Sequence, residues 1–163
     1  MRALCLCIVA VFAVSLLACS PGYRSSRSAK NNSKKPTSVI TETGYPNGYE
    51  NWFRFNLQTV IRDEPEEARD LYYNQMARGA NTGSFPQGSV LVKAQYTLLD
   101  GRKSTLFKLS VMTKDNGSEN GGWQFSVYDP KTGKRIQEDT FACAICHSQR
   151  SSKDHVFSER SGI

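Results

Sequence analysis

The sequence predicts an α+β fold in which an antiparallel β-sheet dominates and a few short helices pack against it. Three observations predict this class. Between residues 88 and 128 the apolar positions recur with a period of two, as in strands whose faces alternate. Asp100-Gly101 falls between two such runs, where a tight hairpin turn belongs. The same stretch leaves no room for the long heptad-like helices of a bundle, so sheet and helices must pack as layers.

The chain opens on Met1-Arg2 and an almost unbroken apolar run over residues 3–17. That run is shorter than a bilayer-spanning helix requires and reads as an export signal. It closes on Leu16-Leu17-Ala18-Cys19, which resembles a bacterial lipobox, with cleavage leaving Cys19 as a lipid-bearing N-terminus. An ordinary signal cut after Ala18, with Cys19 unmodified, is the alternative. Either way the mature chain is exported. Lipidation would tie it to the bacterial cell envelope, facing the periplasm, and Ser20 in place of an acid points to the outer membrane. Residues 1–18 are therefore read as signal.

Residues 19–43, rich in Ser, Lys, Arg, Asn and Pro, are read as a disordered basic tether, too poor in apolar surface to offset its ordering entropy. Arg24, Arg27, Lys30, Lys34 and Lys35 supply much of the net charge of +6 and would lie near anionic headgroups. No recognition motif accompanies them, so nucleic acid is not an expected partner.

Residues 44–163 have the length of a single domain. Pro46-Asn47-Gly48 is a candidate helix start ahead of Tyr49, Trp52 and Phe53, which share a helical face. The stretch 65–73 reads two ways. Acidic residues after Pro65 suit a helix N-terminus, whereas Leu71-Tyr72-Tyr73 suits a strand. From Gly88 the period is two: Val90, Val92, Ala94, Tyr96 and Leu98 share one side, and Leu91, Lys93, Gln95, Thr97 and Leu99 the other. After the turn, Thr105, Phe107, Leu109, Val111 and Thr113 alternate with Leu106, Lys108, Ser110 and Met112. A polar loop over 116–122 leads to a third strand, Trp123-Gln124-Phe125-Ser126-Val127-Tyr128, which Asp129-Pro130-Lys131-Thr132-Gly133 closes. Residues 141–149 are predicted as a short helix.

That helix carries Cys143-Ala144-Ile145-Cys146-His147. Two thiols at this spacing can add across the two vinyl groups of one haem, and the adjoining imidazole is then held to ligate the iron. Zinc would need two more Cys or His ligands. The only other histidine is His155, and every other cysteine lies in the first nineteen residues. A thioredoxin-type motif would open a helix early in a βαβ unit and needs no histidine. Cys5 and Cys7 leave with the signal and Cys19 takes lipid, so no cysteine remains for a structural disulfide. The expectation is one haem c, covalently held by Cys143 and Cys146 with His147 on the metal. No methionine follows the motif, unlike the small all-helical electron carriers.

The chain resembles the cytochrome P-460 family. The segments that carry the resemblance are Arg69-Asp70-Leu71-Tyr72-Tyr73-Asn74, Phe85-Pro86-Gln87-Gly88-Ser89-Val90-Leu91-Val92-Lys93, Met112-Thr113-Lys114-Asp115 and Gly121-Gly122-Trp123-Gln124-Phe125. The haem motif and a tail of Lys153-Asp154 with Val156-Phe157 follow in the same order. The resemblance implies that His147 is the sole protein axial ligand, leaving the opposite face open for a small molecule. It also implies a covalent bond from Lys93 to the porphyrin edge. Unaided, Lys93 reads as a solvated strand lysine. Arg69 matches an arginine directed into the distal pocket, where a guanidinium could hold a bound nitrogen oxide. An ion pair with Glu66 or Asp70 is its alternative.

Two departures from the family pattern bear on chemistry. Hydroxylamine-oxidising members carry a distal carboxylate where this chain reads Phe107-Lys108-Leu109-Ser110-Val111-Met112, and Ser110 cannot act unaided as a general base near neutral pH. Ala94 stands where relatives often carry an acid. Relatives with phenylalanine-capped pockets, the beta-type cytochromes c-prime, bind nitric oxide, and Phe85, Phe107 and Phe125 are the candidates for such a cap. Three functions stay open: an oxidoreductase acting on hydroxylamine or nitric oxide with Arg69, Lys93 and Ser110 at the site, a nitric-oxide-binding protein without turnover, and a plain electron carrier. The implied partners are the small nitrogen ligand, a soluble electron acceptor such as another cytochrome, the membrane through the lipid anchor, and a second copy of the chain in a homodimer.

Overall fold

The computed structural model describes residues 39–40, 44–80 and 83–158. The residues read as signal, Cys19 and all of the stretch read as tether except Val39 and Ile40 lie outside the described residues. The fold is α+β with the sheet dominant, as the sequence predicts.

The first described pair of strands, β1 (Val39–Ile40) and β2 (Pro46–Asn47), is a two-residue antiparallel ladder. β1 falls in the stretch read as tether; its two β-branched residues favour extended backbone. The helix expected around Tyr49 is only a single 3₁₀ turn, Tyr49–Asn51, entered through Gly48 at φ 71°. Trp52 is already extended, and Phe53–Arg54 (β3) pairs with Tyr73 and Tyr72. Sheet pairing wins here because it satisfies backbone groups that an exposed strand edge would leave open.

The main sheet runs β3, β5 (Glu67–Tyr73), β6 (Val90–Leu99), β7 (Arg102–Lys114), β8 (Trp123–Tyr128), β9 (Arg135–Ile136), all antiparallel neighbours. β4 (Val60–Arg62) pairs with the other half of the β5 edge. Of the ambiguous stretch 65–73, residues 65 and 66 lie in a turn and Glu67–Tyr73 is strand, fixed by partners on both sides and not by its acidic start. α1 (Gln75–Arg78) follows, capped by Asn74, whose Oδ1 accepts from Ala77 N at 3.0 Å. Asp100 and Gly101 both have positive φ, 51° and 69°, the backbone of a two-residue hairpin turn.

Both faces of the sheet are covered. On one, Tyr49, Trp52, Tyr72, Val92, Leu109, Val111 and Tyr128 form a buried cluster under the N-terminal segment. On the other, Phe55, Tyr73, Phe85, Leu91, Met112, Trp123 and Val156 form a second. Double coverage explains why Val90, Leu91 and Val92 are buried in succession, without the polar alternation of a half-exposed strand. Register shifts after Gln95 and after Tyr96 mark bulges that bend the β6–β7 hairpin; beyond them it projects into solvent, with Leu99 66% exposed.

Candidate functional site

The last helix, α2 (Thr140–Ser148), lies against β8 and starts on Asp139, whose Oδ1 accepts from Phe141 N at 3.0 Å. Spacings of three and four residues on a helix put Cys143, Cys146 and His147 on one face. All three line a cavity of about 610 Å³ between α2 and the sheet. Both thiols are free of a disulfide, Cys143 half-buried and Cys146 exposed.

His147 is held on three sides. Its ring packs against Phe125 and Phe157, each with a centroid 5.2 Å away. Nδ1 lies 2.6 Å from the carbonyl oxygen of His155, which can only accept, so Nδ1 carries the proton. Burial holds the imidazole pKa below its ordinary value; the bond to His155 opposes this and the charge of Lys93 adds to it. The ring is therefore neutral, with the Nε2 lone pair free for a metal.

The carbonyl that orients His147 belongs to a segment anchored by the sheet. Asp154 and His155 both have left-handed backbone, φ 49° and 63°. The Asp154 carboxylate takes Lys114 Nζ at 2.5 Å and Phe85 N at 2.7 Å, and its backbone carbonyl takes Trp123 Nε1 at 2.9 Å. Lys114 Nζ also donates to Gly121 O at 2.7 Å. The His155 ring lies over Gly121, where any Cβ would collide with it.

Across the cavity the sheet presents a row set by register: Leu71, Lys93, Ser110 and Val127 face one another on successive strands. Lys93, Ser110 and Arg69 all line the cavity that the cysteines and His147 line, so the structure brings together every described site residue read from the sequence. Burial depresses the Lys93 pKa, Arg69 adds to this, and Glu67 opposes it. Its amine is thus more often neutral than a solvated lysine's, in contrast to the unaided reading of this position.

The partner of Arg69 is neither Glu66 nor Asp70. It is Glu67, two residues away on the same face of β5. Asp70 points to the other side, fully buried with Arg54 at 2.6 Å, Lys103 at 2.6 Å and Thr59 at 2.7 Å. Ala94, opposite Asp70 in the ladder, is also buried there, so an acid at that position would face away from Lys93. Among the three phenylalanines, Phe125 lines the cavity but sits against His147, Phe85 packs on Trp123, and Phe107 is exposed. Phe55, which the sequence did not mark, does line the cavity.

Sequence reasoning also missed a connected polar group behind Ser110. Ser110 Oγ donates to Gln95 Oε1 at 2.8 Å, and Gln95 Nε2 donates to Glu67 Oε2 at 2.9 Å. Period two from Arg69 and from Lys93 puts Glu67 and Gln95 on the correct face, but nothing local joins them.

The residues fit a covalently attached haem. The cavity is within the size range of pockets that bury cofactor-sized molecules, and its walls are largely apolar, from Phe55, Leu71, Leu91, Met112, Phe125 and Phe157. Arg62 at the rim adds a cation suited to a cofactor carboxylate. Among the described residues no three His, Cys, Asp or Glu side chains gather as a metal-ligand set, so iron here would rely on porphyrin nitrogens plus His147.

No curated protein matches this chain. The family model described as Cytochrome P460 matches residues 46–158, from β2 to just past Phe157 and well over half of the sequence. Strand order, the C-terminal motif and the cavity are thus all inside the matched region, and the chain belongs to the cytochrome P460 family of proteins with covalently bound haem c.

Proposed function

We propose that this chain is an exported monohaem c-type cytochrome that binds or oxidises a small nitrogen compound, hydroxylamine or nitric oxide. The observation that carries the reading is the convergence on one cavity of Cys143, Cys146 and His147 from the helix with Lys93, Ser110 and Arg69 from the sheet. A bound haem would supply an iron able to take a ligand and to exchange single electrons.

The chain's own residues do the rest. Cys143 and Cys146 would each hold a haem through one thioether, and His147 would offer Nε2 to its iron. Lys93 faces the cavity with an amine whose pKa burial lowers, and it would stand beside a bound porphyrin. The Arg69 guanidinium, pinned by Glu67, presents fixed positive charge beside the bound molecule. Apolar walls keep bulk water away, which strengthens each of these polar contacts. Export, lipidation at Cys19, an outer-membrane location, a soluble cytochrome as electron acceptor and a homodimer rest on the sequence and complete the proposal.

The test is absorbance of the holoprotein matured with a c-type attachment system. A five-coordinate spectrum that hydroxylamine or nitric oxide perturbs supports the reading. Steady reduction of a one-electron acceptor by hydroxylamine assigns it as an enzyme, and ligand binding without acceptor reduction assigns it as a gas-binding protein. A six-coordinate spectrum that neither ligand changes, with Met112 or Lys93 on the metal, would overturn it in favour of electron transfer.

A further inference from the structure

Ser110 is the cavity-lining hydroxyl directly across the ladder from Lys93. The direction of its one proton follows from groups behind it. Glu67 is 2% exposed, with one carboxylate oxygen taken by Arg69 and the other by Gln95. Burial pushes the Glu67 pKa up, but hydrogen bonds from Gln95 and Arg69 outweigh this and hold it below its ordinary value. The carboxylate is therefore ionised and can only accept.

That settles the Gln95 amide. Its NH₂ must face Glu67, because a flipped amide would set one oxygen against another at hydrogen-bond distance. Its carbonyl then faces Ser110, and it can only accept, so the Ser110 hydroxyl spends its single proton on Gln95. Gln95 is itself held, 4% exposed, where the first bulge begins. What remains of Ser110 toward the cavity is lone pairs.

We propose that Glu67 and Gln95 fix Ser110 as a hydrogen-bond acceptor, making it a specificity-determining residue that favours ligands bearing N–H or O–H, of the hydroxylamine class, over nitric oxide. The proposal rests on the function proposed above and chooses between its two ligands. Arg69 brings a donor to the same cavity, so a ligand with both a donor and a lone pair can satisfy Arg69 and Ser110 together. Nitric oxide has no proton to give, and it leaves the Ser110 lone pairs desolvated and unpaired.

The test compares dissociation constants for hydroxylamine and nitric oxide on the ferric holoprotein, without an electron acceptor, by anaerobic absorbance titration. Ser110→Ala should weaken hydroxylamine by about tenfold or more while leaving nitric oxide unchanged or tighter. Ser110→Thr keeps the hydroxyl and should restore the wild-type ratio. Gln95→Leu frees the hydroxyl to donate, and should move the ratio toward nitric oxide by a similar factor. Should Gln95→Leu fail to accumulate, the Ser110 pair carries the test alone. If both ligands bind the wild type and Ser110→Ala leaves their ratio unchanged, the proposal is overturned and the functional reading stands. If neither ligand binds the wild type, the functional reading fails and takes the proposal with it.

Discussion

His147 donates from Nδ1 to the carbonyl of His155 at 2.6 Å, and this bond ties the imidazole to a segment that the sheet holds from outside. The Lys114–Asp154 pair, the Trp123 indole and the amide of Phe85 all converge on the residue preceding that carbonyl. The chain thus stabilises its tail and orients its histidine with the same contacts.

Lys114→Met should cost about 3–5 kcal/mol of stability, because it leaves the Asp154 carboxylate buried without its cation. A slackened His155 carbonyl also makes the imidazole less basic, which favours reduced iron. We expect a lower denaturant midpoint and a more positive reduction potential than wild type. An unchanged potential in a folded variant would show that the tail does not govern His147.

Gly121→Ala should destabilise through two effects at once. The position has φ 64°, and the new methyl meets the His155 ring. Gly133→Ala is the control, with φ 66° but no atom nearer than 3.9 Å. Both pay the backbone cost of roughly 1–3 kcal/mol, and Gly121→Ala should exceed Gly133→Ala in a thermal melt. Equal losses would remove the His155 contact as a cause.

Asp70 makes stability depend on pH. Burial raises its pKa, but hydrogen bonds from Lys103 and Thr59 and the charges of Arg54 and Lys103 bring it below the ordinary value. A depressed folded pKa contributes stability above the unfolded value near 4 and loses it as pH falls through the folded one. Arg54 and Lys103 are each about a third exposed, so solvent screens the pair. Asp70→Asn should therefore lose about 2 kcal/mol at pH 7, with the gap to wild type closing in acid below about pH 4. Melts of both proteins from pH 7 to pH 3 measure this, and a gap independent of pH would exclude the ionic contribution.

Lys93→Ala tests the porphyrin bond by mass. The wild-type holoprotein should weigh less than chain plus haem by one pair of hydrogens, and the variant should show no such deficit. The reduced Soret band should move to shorter wavelength in the variant. Identical masses and bands would leave Lys93 as an unbonded wall of the cavity.

Much of this molecule is legible in its sequence because local spacing fixes local geometry. Period two in residues 90–98 predicts that Lys93 and Gln95 share a face, and they do. The Asp100-Gly101 turn is readable because positive φ there demands such residues. Tyr49, Trp52 and Phe53 mislead for the complementary reason. Helical spacing is only a propensity, and the open edge of β5 offered Phe53 a strand partner instead.

The sequence by itself determined that two thiols and an imidazole share one helix face, and that Lys93 and Ser110 lie on alternating strands, since both follow from covalent spacing along a regular backbone. Only the tertiary structure decided that Glu67 and Gln95 stand behind Ser110, that Arg69 pairs with Glu67, and that Asp154 is tied to Lys114. Those pairings join separate elements, and each depends on sheet register, bulges and the fold of the tail. Such contacts are set by the collective balance of burial and hydrogen bonding across the whole domain, which no short stretch of residues contains.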